Sequence, residues 1–319
     1  MVCLSEEDIA KEVIYPGVVL TSIDVVAAPT EENPNRVTFS DLTEGTTDDD
    51  DALFIHNIRE VKRQGTGFDT AIDFEADKLT PEEAFKIIGS EKKALFVIHG
   101  FNTQAGYHLA DCLKAKDNFT KTNVIPVIWP SEGKGGLFDY RGDRNFSKAA
   151  GKALQSMKGP IQKLGKDFRA SVVCHSMGNR VFRNFSDPEI NFDNIFMVAA
   201  DVDGDIFHEG YINGGSDEYR KHGLNIKGML SDETGKIHVI YNPDDSRMWQ
   251  SMIMNFGTRL GGAGVNFEPA WFGKTVHEDL KDSIVNVNSQ ECNMLLPDDP
   301  KDHNYHFHLE VCKYYDDNA

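Results

Sequence analysis

Ser176 is the residue of this chain whose setting best suits a chemical role. It lies in the pentapeptide C-H-S-M-G, directly after the apolar run 170–174 and directly before a segment that starts a helix. A serine on a sharp turn between a buried strand and a helix is exposed above the sheet, where it can act as a nucleophile. The usual pattern is G-x-S-x-G, and here Cys174 occupies the first glycine position. Because many strand-end serines only cap helices, the pentapeptide alone leaves both interpretations open.

Two backbone N–H groups could stabilise an oxyanion beside Ser176. Met177 follows the serine directly, and Phe101 lies in H-G-F-N at 99–102, after another apolar run. In strand–serine–helix hydrolases, the oxyanion hole is built from donors at these two places. We therefore predict Phe101 and Met177 as the oxyanion donors.

An activated serine needs a base and an orienting acid, which are expected in the chain order serine, acid, histidine. Two acidic clusters follow the serine at predicted strand ends, one at 201–205 and one at 244–245. The first begins like a calcium-binding loop, but isoleucine at its sixth and twelfth positions argues against that role. The second lies one strand later, where the acid more often sits. We predict Asp245 as the acid, with Asp244, Asp203 and Asp201 as alternatives.

Three histidines, His303, His306 and His308, follow the last predicted strand, which is the expected place for the base. Histidine is the commonest general base, although these three could also be the solvated start of a terminal helix. His303 lies nearest the preceding loop, so we predict it as the base, with His306 as the alternative. His175 adjoins the serine, but its side chain should point the other way along the turn.

From residue 80 onward, short apolar runs alternate with helical patterns. We predict strands at 94–98, 123–129, 170–174, 194–200, 236–241 and 283–287, and helices at 80–88, 105–116, from about 145, from 177, at 246–260 and at 304–315. Wholly apolar strands that alternate with helices indicate a doubly wound, mostly parallel α/β sheet. The active site of such a sheet lies at the carboxyl ends of its strands, where the residues above are found.

The whole chain, 1–319, is predicted to be one domain, because no linker-like stretch divides it. Residues 1–75 alternate short apolar runs with turn residues, which favours an antiparallel β extension at the N-terminal side of the sheet. Residues 206–235 are rich in glycine and could form a small lid. Three aromatic residues after the strand at 123–129 could line an apolar acyl site or simply pack in loops: Trp129, Phe138 and Tyr140.

Seven short motifs lie one after another between about residues 90 and 310. They are H-G-F-N at 99–102, V-I-W-P-S-E-G at 127–133, D-Y-R-G-D-R at 139–144, H-S-M-G-N-R at 175–180, A-A-D-V-D-G-D-I-F at 199–207, Y-N-P-D-D-S-R-M at 241–248 and R-L-G at 259–261. Together they resemble an esterase/lipase-like subfamily of the α/β hydrolases, mostly bacterial proteins long catalogued as a domain of unknown function. The resemblance implies a Ser–Asp–His hydrolase with Ser176, Asp245 and His303 as its triad. Asp244 stands where the subfamily has asparagine.

This combination predicts a serine hydrolase that cleaves a carboxylic ester through an acyl-enzyme, with no metal and no organic cofactor. A thioesterase, a lipase or an amidase would use the same triad. A binding protein could also keep the fold without turnover.

Composition narrows the choice of partners. The 319 residues carry 33 Lys and Arg against 51 Asp and Glu, a net charge of −18. Nucleic acids and anionic membranes are bound through clustered basic residues, so this balance argues against both. No apolar run reaches the roughly 18 residues of a membrane span, and the start lacks the basic region of a secretory signal. The five scattered cysteines fit free thiols, so we expect a cytoplasmic protein that acts on a small ester or acyl substrate.

Overall fold

The computed structural model of the chain describes residues 17–21, 25–27, 37–39, 54–64, 71–88, 93–103, 105–131, 137–155, 158, 168–185, 190–209, 222–231, 234–268, 275–295 and 299–319. The strands of this part of the chain join in one sheet. They are β1 (Gly17–Thr21), β2 (Val25–Ala27), β3 (Val37–Phe39), β4 (Phe54–Gln64), β5 (Ala71–Leu79), β6 (Lys93–Ile98), β7 (Thr122–Ile128), β8 (Ala170–His175), β9 (Asn194–Val198), β10 (Lys236–Tyr241) and β11 (Ile284–Asn288).

Strands β7, β6, β8, β9, β10 and β11 lie side by side in that order, and all are parallel. Every residue of β8 is buried, as is every residue of β6 after Lys93. Alternate residues of β6 belong to two separate hydrophobic clusters, which places one core on each face of the sheet. The predicted mostly parallel α/β sheet is confirmed.

The helices follow the strands in alternation. They are α1 (Pro81–Ile88), α2 (Ala105–Ala115), α3 (Leu137–Leu154), α4 (Gly178–Phe185), α5 (His222–Gly228), α6 (Ser246–Asn255), α7 (Leu260–Ala263), α8 (Glu278–Lys281) and α9 (Leu309–Asn318). Helix α1 begins with a capping box, in which Thr80 Oγ1 accepts from the Glu83 N–H and Glu83 Oε2 accepts from the Thr80 N–H.

Three helix boundaries differ from the sequence-based prediction. Helix α3 begins at Leu137, eight residues or so earlier than expected. Helix α6 ends at Asn255 because Phe256 adopts a left-handed conformation, with φ of 54°. The terminal helix begins only at Leu309, after a single 3₁₀ turn at Tyr305–Phe307. Local hydrophobic periodicity does not report such backbone turns, which end a helix without changing its apolar pattern.

Strand β1 pairs parallel with β7 and antiparallel with β4, and β4, β5, β3 and β2 continue antiparallel. Much of 1–75 lies outside the described residues, so an antiparallel extension over that whole stretch stays a prediction. The same holds for the proposed lid, because residues 210–221 lie outside them too. Among the described residues, no helix combines the length and apolar character needed to cross a bilayer.

Candidate active site

The backbone turns sharply at Ser176, between the end of β8 and the start of α4. Its φ of 50° lies in the left-handed region, which side-chain-bearing residues seldom adopt. Hydrogen bonds hold the turn on both sides: the Ser176 N–H donates to the Val198 carbonyl, and Asn179 Nδ2 donates to the carbonyls of Cys174 and Ser176 at 2.7 and 3.1 Å. The residue predicted as nucleophile therefore stands on a strained strand-to-helix turn.

Gly178 allows this turn to pack against β6. A Cβ atom there would lie 2.5 Å from the His99 carbonyl oxygen and 2.6 Å from that of Ile98, both of them backbone atoms. At the other flank, Cys174 is fully buried, and burial raises the pKa of its thiol well above the usual value. Cys174 is thus a neutral packing residue that does not compete with Ser176 as a nucleophile.

The H-G-F-N loop after β6 lies directly against the serine. A Cβ atom on Gly100 would approach Ser176 Cβ to 2.8 Å, so only glycine fits at this point of contact. Within the described part of the chain, neither the Phe101 N–H nor the Met177 N–H donates to another residue. Among the described residues, both predicted oxyanion donors are therefore without an acceptor.

His99 and Trp129 support this loop from behind. Their rings stack with centroids 5.2 Å apart, and Trp129 Nε1 donates to the His99 carbonyl at 2.8 Å. His99 Nε2 accepts from the Trp129 N–H, so its Nδ1 carries the proton and donates to the Gly100 carbonyl. Burial lowers the pKa of His99 to about 4, which keeps the ring neutral. Trp129 is 1% exposed and packs behind this loop, and its place in an acyl site stays a prediction.

Asp245 and His303 form a close pair at the same edge of the sheet. His303 Nδ1 lies 2.7 Å from Asp245 Oδ2, and because a carboxylate only accepts, the imidazole N–H donates. The other carboxylate oxygen caps α6 by accepting from the N–H groups of Arg247 and Met248 at 2.8 and 3.0 Å. The Asp245 side chain is fully buried, whereas that of His303 is 14% exposed. The carboxylate is fixed in place and holds the imidazole through Nδ1, so Nε2 is the ring nitrogen that this pair does not use.

The alternative acids have other partners. Asp244 is exposed and accepts from Gln290 Nε2 at 2.9 Å. Asp203 pairs with Arg259 at 2.5 Å, and Asp201 is buried between Arg180 and Arg259. None of the three takes the position beside an imidazole that Asp245 holds.

The other two histidines of this segment have different surroundings. The His306 ring stacks on His175 at 3.7 Å, and burial lowers its pKa well below the usual value. His308 contacts Asp302 at 3.1 Å and the Met294 carbonyl at 3.1 Å. Among the described residues, no hydrogen bond yet joins the Ser176 hydroxyl to His303. The structure thus brings Asp245 and His303 together, and a contact between His303 and Ser176 stays a prediction.

A family model described as an alpha/beta hydrolase of unknown function (DUF900) matches residues 82–296, about two thirds of the chain. The chain belongs to this family. A search of the curated proteins and a search of the solved structures each found no significant match to this chain. The match covers Ser176 and Asp245 but ends before His303, so the role of His303 stays a prediction. Membership of this alpha/beta hydrolase family supports hydrolase activity and confirms the resemblance seen in the motifs.

Residues from several of the sequence motifs form a buried polar network beneath the turn at Ser176. The sequence did not predict this network. Asp201 accepts from Tyr140 Oη at 2.7 Å, from Arg180 Nε at 3.2 Å and from Ser251 Oγ. The Asp201 N–H donates to the Ser176 carbonyl at 3.0 Å. The network therefore anchors the turn that carries the serine.

Tyr140 belongs to this network through its hydroxyl, while its ring contacts Phe101 edge-on at 5.6 Å. It therefore packs against the H-G-F-N loop, and a direct contact of Tyr140 with substrate stays a prediction. Phe138 lies in the first turn of α3, and its side chain is outside the described part of the structure. Within the described residues, no group of three or more His, Cys, Asp or Glu side chains could hold a metal ion.

Proposed function

We propose that this protein is a serine hydrolase that cleaves carboxylic esters with Ser176, His303 and Asp245. The observation that carries the proposal is the 2.7 Å hydrogen bond between His303 and the fully buried Asp245 carboxylate. It lies at the edge of the sheet where the strained Ser176 turn and two free backbone donors also lie. An acid, a base and a nucleophile in this chain order are the parts that acyl transfer needs.

In the first half of the reaction, His303 Nε2 takes the Ser176 proton as the hydroxyl oxygen attacks the ester carbonyl. The N–H groups of Phe101 and Met177 hold the oxyanion of the tetrahedral intermediate. Asp245 keeps the proton on His303 Nδ1 and stabilises the imidazolium that forms. His303 then protonates the departing alkoxide, which leaves an acyl group on Ser176.

In the second half, His303 removes a proton from water, which attacks the acyl-enzyme, and Ser176 recovers its proton as the acid is released. We favour an ester because the motifs of this chain resemble an esterase/lipase-like subfamily. A thioester, a long-chain lipid or an amide would enter the same cycle, so chain length and leaving group are decided by experiment.

The first test uses a fluorophosphonate probe, which reacts with activated serines. We expect the wild-type protein to be labelled and Ser176→Ala to lose both labelling and hydrolysis, by about 10⁴–10⁶-fold in kcat. Ser171→Ala is the matched control, because Ser171 lies on the same strand, is equally buried and accepts from the Asn194 N–H. Labelling that is absent from the folded wild-type protein would favour a non-catalytic binding protein.

The second test measures kcat/KM on p-nitrophenyl esters of increasing chain length. Turnover that is highest on short, soluble esters supports a carboxylesterase. Turnover restricted to long chains would replace it with a lipase. Faster turnover of matched thioesters or anilides would replace it with a thioesterase or an amidase.

A further inference from the structure

The main chain around His303 is held by two side chains that come from different strands. His175, the last residue of β8, has its Nε2 2.9 Å from the His303 carbonyl oxygen. Asn242, the residue after β10, donates from Nδ2 to the Asp302 and Pro300 carbonyls, each at 3.1 Å. The peptides on both sides of the base are therefore fixed by hydrogen bonds from the sheet.

His175 is suited to this contact because it is a neutral, immobilised donor. It is 3% exposed, and its ring is stacked on His306 with an interplanar angle of 11°. Burial and the neighbouring His303 lower the pKa of His175 to about 3. A neutral imidazole carries one N–H, and because a carbonyl only accepts, that proton lies on Nε2.

Asn242 is held equally firmly. Its side chain is fully buried, and its Oδ1 accepts from the Asp244 N–H and from Gln290 Nε2, both at 3.1 Å. The two N–H donors on one side and the two carbonyls on the other fix which end of the amide is the nitrogen. All of its hydrogen-bonding groups have partners, so rotation of the amide would break four contacts.

His175 and Asn242 each lie close in sequence to a member of the proposed triad. His175 precedes Ser176 directly, and Asn242 lies three residues before Asp245 on the same turn. The strands that carry the nucleophile and the acid thus also set the position of the base, whose own side chain is held by Asp245. A base that is displaced by about 1 Å can lose about 100-fold in rate, so such fixing has catalytic value.

We propose that His175 and Asn242 are positioning residues that hold the His303 peptide, and hence its Nε2, in the geometry that Ser176 requires. This inference rests on the proposed function. Neither residue touches the substrate, so their loss should lower kcat and leave KM nearly unchanged.

The test compares variants that keep or remove the donor at Nε2. Glutamine places its amide nitrogen near that position, whereas asparagine is one methylene too short, and phenylalanine keeps the ring without a donor. We expect His175→Phe and His175→Asn to lose about 10–100-fold in kcat with KM within about twofold, and His175→Gln to recover most of the loss. If His175→Phe does not fold, the Asn and Gln pair decides the question.

His238→Phe is the matched control. His238 is also a buried histidine at a strand, stacked on Phe196 and bonded through Nδ1 to Tyr314, but it lies away from the loop that carries His303. We expect it to lower stability and leave kcat unchanged. Asn242→Leu should reproduce the kcat loss of His175→Phe.

The inference is overturned if His175→Phe and His175→Asn keep wild-type kcat, or if only KM changes. A readout independent of turnover separates it from the proposed function: the low-field ¹H NMR signal of the His303 Nδ1 proton. We expect that signal in the wild type and His175→Gln, and its loss to solvent exchange in His175→Phe. An unchanged signal in His175→Phe would overturn the inference even if the protein hydrolyses no ester.

Discussion

Two acidic clusters follow neighbouring parallel strands of this sheet, and they have opposite surroundings. Asp201 and Asp203, after β9, are neutralised by arginines, and Asp201 is buried with Arg180 and Arg259. Asp245, after β10, faces His303 and the first N–H groups of α6. Both clusters satisfy the same local rule, a carboxylate at a strand end beyond the nucleophile.

The difference shows that the partner of a carboxylate determines its role. A carboxylate shared between guanidinium groups is held in a structural network and has no imidazole to orient. A carboxylate that accepts from two backbone N–H groups with one oxygen keeps the other aimed at a histidine. The first arrangement holds the turn at Ser176 in place, and under the proposed function the second orients the base.

The largest effect should come from Asp245→Asn. The asparagine oxygen can still accept from the N–H groups of Arg247 and Met248, but its NH₂ would face His303 Nδ1. That would place the imidazole proton on Nε2, where it cannot accept from Ser176. We expect kcat to fall by about 10⁴-fold, with the free energy of unfolding changed by less than about 1 kcal/mol.

Asp244→Asn is the control for this prediction, because the neighbouring carboxylate is exposed and contacts Gln290. Steady-state ester hydrolysis should show kcat within about twofold of wild type. Equal losses in the two variants would mean that the acid has been assigned to the wrong residue.

Asp201→Asn should act on stability instead of chemistry. It leaves the buried guanidinium group of Arg180 without its carboxylate and Arg259 with Asp203 alone, and removing one partner of a buried ion pair costs about 3–5 kcal/mol. Urea unfolding should show this loss, while kcat of the folded protein changes far less than in Asp245→Asn. Asp203→Asn, whose side chain is 17% exposed, should cost less, about 1.5–3 kcal/mol. If folded Asp201→Asn lost as much kcat as Asp245→Asn, the two acidic clusters would not differ in role as proposed.

The smallest effect is a pH dependence. Burial alone would raise the pKa of Asp201, but Arg180, Arg259 and the hydrogen bonds from Ser251 and Tyr140 outweigh it and hold the pKa below the usual value. Since the pKa is lower in the folded state, the stabilisation is present above the unfolded value of about 3.9 and is lost as the pH falls through the folded value.

The difference in unfolding free energy between wild type and Asp201→Asn should therefore shrink on acidification below about pH 4. Urea titrations of both proteins at several pH values measure this. A difference that stays constant down to the acid unfolding limit would show that the ion pair contributes nothing.

The sequence was informative where one local pattern carries the structure. Wholly apolar runs predicted the parallel strands, and the position of Ser176 between such a run and a helix predicted its turn. The same logic led to Asp245 and His303, which the structure places 2.7 Å apart. Their catalytic roles, and those of Phe101 and Met177, stay predictions until activity is measured.

The sequence did not predict the contacts that join distant parts of the chain. Nothing local to Asp201 reveals that Arg180 and Arg259, 21 and 58 residues away, share its charge. The aromatic side chain of Trp129 is of a type that often lines apolar pockets, and nothing local in the sequence reveals that it stacks on His99. The contacts of His175 and Asn242 with the loop at 300–303 also depend on the tertiary fold, and hydrogen bonds from a side chain to a distant carbonyl leave no periodic signal.

The left-handed conformation of Ser176 has a consequence for how this protein can change. A residue with a Cβ atom in that region costs about 1 kcal/mol or more relative to glycine, so the turn is kept at the expense of overall stability. Under the proposed function, a substitution that relaxes the turn, such as Ser176→Gly, gains stability and loses the nucleophile. At this one position, durability and reactivity then oppose each other.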